Sequence, residues 1–401
     1  MKIILYTGHS KITMAGGTQR VFCDLANALA SRGHEVFAVC QAFRKGLPFY
    51  PLDERVHFIN LDGSGRRKIQ PLEWFNGIRP FLPSACNEVW ERYREYRSFR
   101  GSGIPLMKLL REVQADILIV LSPNDYLMLQ PPLDIPVILS HHSNVEEFFK
   151  HTKIHICTQR KMEKLRMCPQ VHLLQHSYVS GIQKIYHGEI QVIPNAVPQL
   201  EEKDLANLVG EKSQKTITMV SRLDKAKQQH LLIQAFGRLA QDYPDWKVEI
   251  YGSPNKPFYG WRLKNMIASL GLVGRVELMG NTHRPLDVLR QADIFAFPSS
   301  FEGFGLALTE AMAVGLPCMG LKTTSSVNEL IVDGVNGFLT ENSPEDFAAK
   351  LKVLMDDQDL RVKMGRAGHE RMKQYAPEKV WDQWNELVTK VVQQHQQCKG
   401  A

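Results

Sequence analysis

Short apolar runs alternate with helical patterns through the first half of the chain. The strand-like runs are KIILYT, HEVFAVC, DILIVLS, IPVILS, VHLLQHS and EIQVIP. After the first of them, apolar residues recur at helical spacing, at Val21, Phe22, Leu25, Ala28 and Leu29. Gly33 follows where a helix stop belongs. Because strands that alternate with helices are joined by crossovers, this half predicts a parallel sheet with helices.

The same alternation starts again after position 195. Its segments are TITMVS, HLLIQAFGRLAQDY, WKVEIYG, RVELMG, ADIFAFPSS and LPCMGL. The chain therefore predicts two doubly wound α/β domains, at 1–194 and 195–377, with a boundary near Pro194 to Pro198. A final helix over 378–401 is expected to pack back on the first domain through an apolar face formed by Trp381, Trp384, Leu387, Val388 and Val391.

Composition narrows the class of protein. The length of 401 residues fits two domains, and 44% hydrophobic with 23% charged residues fits a globular protein. No apolar run reaches the roughly 20 residues of a membrane span, so we expect a cytoplasmic location. Seven scattered cysteines have no metal-ligand spacing. The formal charge of +7 suits anionic ligands or an anionic membrane face, and no motif supports nucleic-acid binding.

Three loops carry candidate chemistry. In TGHSKITMAGGTQRV, Gly16 and Gly17 lead into the first helix, where backbone N–H groups can approach phosphate oxygens, although an ordinary turn explains such a pair equally well. In SRLDKAKQQH, Arg222 and Lys227 follow a strand and offer two cations to a diphosphate, although either alone is more often solvated.

The third loop lies in ADIFAFPSSFEGFGLALTEAMAVGLP. Glu302 and Glu310 bracket a glycine-containing turn, and two carboxylates at that separation can hold different hydroxyls of one ligand. Taken alone, Glu310 would be read as part of a solvated helix face. His141 and His142, in ILSHHSNVEEF, also follow a strand, and we favour His142 as a functional residue.

Taken together, these blocks resemble a known family. Glu302 and Glu310 with seven residues between them, within FAFPSSFEGFG and EAMAVGLP, look like the signature of family 4 retaining glycosyltransferases of the GT-B fold. The blocks RVFCDLANALASRGHEV, IPNAV, SRLDKAK and LIVDGVNGFL are similar to successive family blocks in the same order. The resemblance implies two Rossmann-like domains that face a central cleft.

The resemblance also implies roles for individual residues. The second domain would hold a nucleotide-sugar donor. Glu310 would bind the ribose hydroxyls, and Arg222 and Lys227 would bind the diphosphate. Residues from Met279 to Asn281 would flank the base, and Gly16 with Gly17 would close over the diphosphate. The donor sugar would be held by Glu302, Gly303, Phe304, Gly305 and Leu306.

His142 and Glu302 are the catalytic candidates that the resemblance supplies. The family reaction retains anomeric configuration by front-side attack through an oxocarbenium-like state, so neither glutamate need act as a nucleophile. We expect no cofactor and no essential metal, and no D-x-D motif follows a strand. The sequence departs from the family pattern at Gln228, where glycine is common, at Ala196 and Pro198, and at YGSPN.

The acceptor is expected to be a glycan or glycolipid held by the first domain. Two basic stretches lie there, NEVWERYREYRSFR with interleaved aromatic residues and KHTKIHICTQRKMEKLR, and both can contact the cytoplasmic face of an inner membrane. A solvated helix with paired charges explains the first stretch equally well. The SHHSN segment also looks like bacterial transferases that extend lipopolysaccharide or lipid-linked glycans.

Three other functions have to be weighed against sugar transfer. A GT-B-type sugar-nucleotide epimerase or hydrolase would use a similar cleft, and a catalytically silent nucleotide-sugar scaffold would keep the same binding residues. A nicotinamide dehydrogenase would need a tighter glycine fingerprint and an acidic residue after the second strand, which HEVFAVCQAF lacks. The nucleotide that we expect in the donor is UDP.

Overall fold

The computed structural model describes residues 1–8, 12–14, 16–42, 46–61, 93, 96, 99–129, 133–142, 157–254 and 257–400. The chain forms two compact units. One consists of Met1–Pro194 with Val380–Ala401, and the other of Asn195–Lys379. The change of unit at Pro194 lies where the sequence places the domain boundary, and the second unit extends two residues beyond the expected 377.

The first unit is built on a seven-stranded parallel sheet. Its strands are Lys2–Thr7 (β1), Glu35–Cys40 (β2), Val56–Asn60 (β3), Ile117–Val120 (β4), Val137–His141 (β5), Gln170–Leu173 (β6) and Glu189–Val192 (β7). The described helices are Gly17–Ser31 (α1), Ile104–Val113 (α2), Pro123–Leu127 (α3), Cys157–Arg166 (α4) and Val179–Gln183 (α5). The strand order is β3-β2-β1-β4-β5-β6-β7, so the unit is doubly wound.

The second unit repeats this winding with six strands in the order β10-β9-β8-β11-β12-β13. Its strands are Lys215–Val220 (β8), Trp246–Tyr251 (β9), Val276–Gly280 (β10), Ile294–Phe297 (β11), Cys318–Leu321 (β12) and Gly337–Thr340 (β13). The helices are Gln229–Gly237 (α6), Pro257–Ser269 (α7), Pro285–Arg290 (α8), Leu306–Ala313 (α9), Ser325–Leu330 (α10), Pro344–Asp356 (α11) and Gln358–Met372 (α12).

Central strands in both units are apolar along their whole length because helices cover both faces of a doubly wound sheet. Every residue of β4 and β11 is buried. Helix α1 buries the predicted apolar positions, and Gly33 adopts a φ of 84° just beyond its end, as the helix-stop pattern requires. The two parallel-sheet domains that the sequence predicts are therefore present.

The last helix, Pro377–Gly400 (α13), contributes Val380 and the residues after it to the first unit. Val380, Trp384, Leu387, Val388, Val391 and Val392 form its buried face. Polar contacts add to this packing: Arg32 forms an ion pair with Asp382 at 2.7 Å, and His34 lies 2.7 Å from Asn385. Trp381 was expected on the buried face but is only half-buried, since Val380 occupies that position instead.

Two strands and one helix end differ from the sequence pattern. Strands β3 and β13 were not among the predicted runs, because VHFIN and GFLT are short and interrupted by polar or small residues. Helix α6 ends at Gly237, although its apolar pattern continues toward Tyr243. After Gly237 the chain makes tight turns, with Leu239 N–H bonded to Phe236 O at 2.9 Å.

The packing of α13 generates a stability prediction. Trp384 is 3% exposed, and its ring centroid lies 4.3 Å from that of His172 on β6. Trp384→Ala should therefore destabilise the first unit by about 3–5 kcal/mol, as is usual for truncation of a buried aromatic residue. Urea unfolding followed by circular dichroism measures the change.

Trp381→Ala is the matched control, since it removes the same side chain from a half-buried position on the same helix. It should cost clearly less than Trp384→Ala. Equal effects of the two substitutions would contradict the burial pattern of α13.

Candidate functional site

The candidate site of the second unit lies where the order of strands in its sheet changes direction, between β8 and β11. Strands β8 and β11 are hydrogen-bonded neighbours, with Ile217 opposite Ile294 and Thr218 opposite Phe295. From β8 the chain winds outward through β9 and β10, and it then crosses to the other side of β8 to form β11. The loops after β8 and β11 therefore diverge at the carboxyl edge, which is where open α/β sheets bind ligands.

The loop after β8 is a short capped turn. Asp224 accepts a hydrogen bond from Ala226 N–H at 3.1 Å and caps the 3₁₀ turn Lys225–Lys227. Gln228 then takes a left-handed conformation, with φ 51° and ψ 42°, as it enters α6. Glycine adopts this conformation without steric cost, which is a physical reason for glycine being common at this position in the family, and Gln228 takes the same conformation as a non-glycine residue.

The loop after β9 packs against the backbone of the loop after β8. Ser221 N–H donates to Tyr251 O at 2.9 Å, and Leu223 N–H donates to Ser253 O at 3.0 Å. Gly252 lies between these bonds, and a Cβ atom there would come within 1.9 Å of Ser221 O. Glycine is therefore required at this point of YGSPN, whereas Asn255 lies outside the described residues.

Lys227 and Glu302 form an ion pair between the loops after β8 and β11. Their side chains are 16% and 12% exposed, so water screens the pair only partly. The Lys227 ammonium also lies 3.4 Å from Phe301 O. Arg222, on the same loop as Lys227, is exposed. The structure thus brings together one predicted cation and one predicted carboxylate and leaves the second cation facing solvent.

The chain after Glu302 turns into helix α9. Gly305 takes a φ of 93° immediately before the helix, a conformation that favours glycine. Phe304 is buried and makes an edge-on contact with Tyr375, with ring centroids 5.8 Å apart. Gly303 and Leu306 on either side are partly exposed. This turn holds backbone groups at the carboxyl edge of the sheet.

Glu310 is 5% exposed on α9. A solvated helix face, the ordinary interpretation of a glutamate in such a pattern, is therefore wrong for this residue. Burying a carboxylate is costly unless polar partners compensate. A buried glutamate one helix turn beyond a glycine turn is suited to holding hydroxyl groups.

Hydroxyl side chains that no motif indicated hold these loops in place. Ser300 Oγ donates to Ala226 O at 3.1 Å and Ser300 N–H donates to the same oxygen at 2.9 Å, which ties the β11 loop to the β8 loop. Ser326 Oγ donates to Glu302 O at 3.4 Å, and Thr324 Oγ1 donates to Ser299 O at 2.7 Å. The run TTSS after the strand LPCMGL was the available signal, since hydroxyl residues at strand ends commonly bond to neighbouring backbone.

Met279 lies near the end of β10, which is one edge strand of the sheet, and Asn281 directly follows that strand. Both side chains are exposed, and strand β9 separates β10 from β8. Gly280 between them accepts a hydrogen bond from Gly252 N–H at 2.7 Å. These residues therefore lie at the same carboxyl edge of the sheet as Lys227, but two strands away from it.

In the first unit, Gly16 directly precedes α1 and Gly17 is its first residue. Gly16 O accepts from Arg20 N–H at 3.0 Å, and glycine at the N-cap position offers no side chain to the first turn. N–H groups at the start of a helix can bind an anion where no cap occupies them. Residues 9–11 and 15 of this loop lie outside the described residues.

The two histidines after β5 have different partners. His141 is 1% exposed, and its Nε2 lies 3.0 Å from the Tyr186 hydroxyl. His142 is partly exposed, and its Nε2 lies 2.7 Å from Ser140 Oγ. Desolvation by burial lowers the pKa of His142 to about 4 and that of His141 to about 3, with the charge of His142 adding to the effect on His141. Both imidazoles are therefore neutral at physiological pH.

The remaining features concern metals and membranes. Within the described ranges, no three His, Cys, Asp or Glu side chains gather as a metal site. No helix among the described residues is long and apolar enough to span a bilayer. Arg92, Arg94 and Arg97 of the first basic stretch lie outside the described residues, whereas Tyr93 and Tyr96 are exposed. The membrane contact expected from this stretch stays a prediction.

Solved structures share the whole fold. Sucrose-phosphate synthase from Thermosynechococcus elongatus superposes with a TM-score of 0.76 at 16% identity, over 97% of this chain and 98% of that one. Anabaena HepE in complex with UDP-glucose superposes with a TM-score of 0.70 at 18% identity, over 97% of this chain and all of that one. At these identities the likeness establishes the fold alone.

Two relatives match along most of the sequence. An exopolysaccharide phosphotransferase from Streptomyces coelicolor is 26% identical over 94% of this chain, which spans 40% of that protein. An uncharacterized glycosyltransferase from Haemophilus influenzae is 27% identical over 94% of this chain and 97% of its own length.

Family descriptions match both halves of the chain. Residues 15–199 match "Glycosyltransferase Family 4", and residues 201–371 match "Glycosyl transferases group 1". The two matches meet near the change of unit at Pro194. The chain belongs to the group 1 glycosyltransferases of family 4 and has the GT-B fold.

Proposed function

We propose that this glycosyltransferase moves a hexose or N-acetylhexosamine from a UDP-sugar to a glycan or glycolipid, with retention of anomeric configuration. The observation that carries the proposal is the ion pair of Lys227 with Glu302 between the loops that follow β8 and β11, with buried Glu310 on the helix that comes next. A polar site of this kind can hold a ligand that combines a diphosphate with two sets of hydroxyl groups.

Each group of the ligand has a chemically matched partner in the second unit. Lys227 and the exposed Arg222 would neutralise the diphosphate, and the Glu310 carboxylate would accept hydrogen bonds from the ribose hydroxyls. Glu302 and the backbone of Gly303 to Leu306 would contact the donor sugar. The exposed pair Met279 and Asn281 would flank the base at the side of the sheet.

The ion pair of Lys227 with Glu302 suits transfer because each side chain fixes the position of the other. As the glycosyl bond breaks, negative charge grows on the departing diphosphate, and a fixed cation stabilises that charge without reorganisation. Glu302 meanwhile keeps the ammonium at one position between the two loops. Both residues would therefore act through position and charge.

In the proposed reaction, the bond between the anomeric carbon and the phosphate oxygen breaks, and its electron pair stays on the diphosphate. The acceptor hydroxyl oxygen bonds to the same face of that carbon, and its proton passes to the departing diphosphate. No covalent bond to Glu302 or Glu310 is required. His142 would accept a hydrogen bond from a sugar hydroxyl near the reacting carbon, and Gly16 with Gly17 would donate to the diphosphate.

The names of related proteins and the ligands in similar solved structures support the choice of donor and of pathway class. Anabaena HepE was crystallised with UDP-glucose, and TarM from S. aureus with UDP and alpha-GlcNAc-glycerol. Among relatives, an Erwinia amylovora protein is named for amylovoran biosynthesis and the Streptomyces protein for exopolysaccharide. We infer a role in bacterial surface polysaccharide or lipopolysaccharide synthesis.

The setting of the reaction is part of the same proposal. We place the protein in the cytoplasm, in peripheral contact with the inner membrane through the basic stretches of the first unit. Exposed Tyr93 and Tyr96, with Arg100 lying 5.9 Å from the Tyr96 ring, are consistent with such a surface. We propose that the protein uses no cofactor and no essential metal, because protein cations neutralise the phosphates.

The first prediction of this proposal concerns donor binding. UDP and UDP-sugars should raise the melting temperature of the protein, since a ligand that binds only the folded state stabilises it. Glu310→Gln should weaken UDP binding about 10–100-fold, which corresponds to losing a charged hydrogen bond worth about 1.5–3 kcal/mol. Isothermal titration calorimetry measures the affinity.

Glu345→Gln is the control, since it neutralises an exposed carboxylate on α11 that pairs with Arg238. It should leave UDP affinity unchanged. A folded protein that binds no nucleotide would refute the donor site. Product analysis then separates transfer from its alternatives: release of free sugar or an isomer would favour the hydrolase or epimerase, and binding without any product would favour the scaffold.

The second prediction concerns the diphosphate cation. Lys227→Met should lower kcat about 100-fold or more, which is the usual cost of removing one group that stabilises developing negative charge. Lys227→Arg keeps the cation and should recover part of the rate. Transfer from a radiolabelled UDP-sugar under saturating donor provides the measurement.

Lys225→Met is matched to this change because Lys225 belongs to the same 3₁₀ turn and is exposed. It should retain nearly the full rate. If both methionine variants lost activity equally, a general effect on the turn would replace the specific role of Lys227.

A further inference from the structure

A chain of four polar groups crosses the carboxyl end of the first sheet. Ser140 on β5 lies opposite His172 on β6 in the strand register, and His142 follows Ser140 by two residues. Ser140 Oγ lies 2.7 Å from His142 Nε2 and 2.7 Å from His172 Nδ1. His172 Nε2 in turn lies 2.8 Å from Ile193 O. One hydroxyl therefore connects two imidazoles.

The far end of this chain fixes the direction of every hydrogen bond in it. A backbone carbonyl can only accept, so His172 must carry a proton on Nε2 and donate it to Ile193 O. His172 is fully buried, and desolvation lowers its pKa well below the ordinary value, with the charge of His142 acting in the same direction. His172 is thus neutral, and its Nδ1 is an acceptor.

The serine transmits this direction to the next ring. Because His172 Nδ1 accepts, the single Ser140 hydroxyl proton points toward it. Ser140 Oγ can then only accept from His142, so His142 carries its proton on Nε2. The lone pair of His142 lies on Nδ1, the nitrogen that faces away from the serine.

The last helix holds the chain of groups in place. Trp384 of α13 packs on His172 with ring centroids 4.3 Å apart, and Ser140 and His172 are both 0% exposed. Neither Ser140 nor His172 can reach a ligand from such burial. Their effect on a ligand must pass through His142, which is the partly exposed member of the chain.

We propose that Ser140 and His172 are positioning residues that fix His142 as its Nε2–H tautomer and leave Nδ1 as a hydrogen-bond acceptor. The proposal rests on the function proposed above, in which His142 contacts a hydroxyl of the sugar. It adds specificity to that contact: an Nδ1 acceptor selects a group that donates, such as a hydroxyl, and disfavours a group that only accepts.

The arrangement predicts different effects for the loss of Ser140 and the loss of His172. Without Ser140, His142 loses its hydrogen-bond partner among these four groups and should populate both tautomers. Without His172, the serine proton is free to turn toward His142 Nε2, which would allow the Nδ1–H tautomer to form. His172→Phe keeps a ring against Trp384, so it separates this effect from lost packing.

The test is a nitrogen–proton correlation spectrum of the full-length protein labelled with nitrogen-15 histidine, near neutral pH. The signals are assigned by their loss in His142→Gln and in His172→Phe. Wild-type His142 and His172 should both show protonated Nε2 and unprotonated Nδ1. His142 should become a mixture of tautomers in Ser140→Ala and shift toward Nδ1–H in His172→Phe.

Kinetics provides the second measurement. His172→Phe should lower kcat about tenfold with little change in donor KM, the usual scale for losing an outer hydrogen-bond partner that orients a histidine. His34→Gln is the matched control, because His34 contacts Asn385 of α13 and has no contact with Ser140. It tests whether a loosened helix alone affects the rate, and it should leave both kcat and the His142 spectrum unchanged.

A protonated Nδ1 on wild-type His142, or a His142 spectrum that does not respond to Ser140→Ala and His172→Phe, would overturn the proposal whatever the activity. Failure of the proposed function gives a different result. In that case the spectra would change as expected, while the wild-type protein would transfer no sugar from a UDP-sugar. Transfer by His142→Gln at the wild-type rate would contradict only the contact of His142 with the sugar.

Discussion

The pairing of strands β8 and β11 is the constraint on which the candidate donor site depends. These strands are joined directly, with Ile217 opposite Ile294, although the chain forms two further strands and several helices between them. Since the following helices lie on opposite faces of the sheet, the two loops separate at their bases and leave their backbone groups accessible. The ion pair of Lys227 and Glu302 spans this separation, and Ser300 ties the loops together.

The first unit uses its sheet in a comparable way with different chemistry. The register of β5 and β6 sets Ser140 beside His172, and α13 covers the pair through Trp384. Burial keeps the imidazoles neutral, so their proton positions follow from the carbonyl of Ile193 alone. In one unit fixed charges define the site, and in the other a neutral hydrogen-bond chain defines which atom of His142 is available.

Sequence patterns predicted most of the fold because doubly wound sheets have strong local signals. Buried parallel strands are continuous apolar runs, and α1 shows a clear helical period followed by Gly33. The pattern failed where these signals weaken: β3 and β13 are short, and α6 stops at Gly237 before its apolar period ends. Trp381 shows the limit at single residues, because a helical period identifies a face but not which residue at its margin is covered.

For the candidate site, the sequence alone determined the residue types, the place of Arg222, Lys227 and Glu302 after predicted strands, and the place of Glu310 on the helix that follows. Only the tertiary structure decided that Lys227 pairs with Glu302, that Arg222 is exposed and that Glu310 is buried. The same holds for the pairing of Ser140 with His172, because neither residue was a candidate in the sequence. The physical reason is that strand order and register bring distant segments together, whereas periodicity records only which side of its own element a residue occupies.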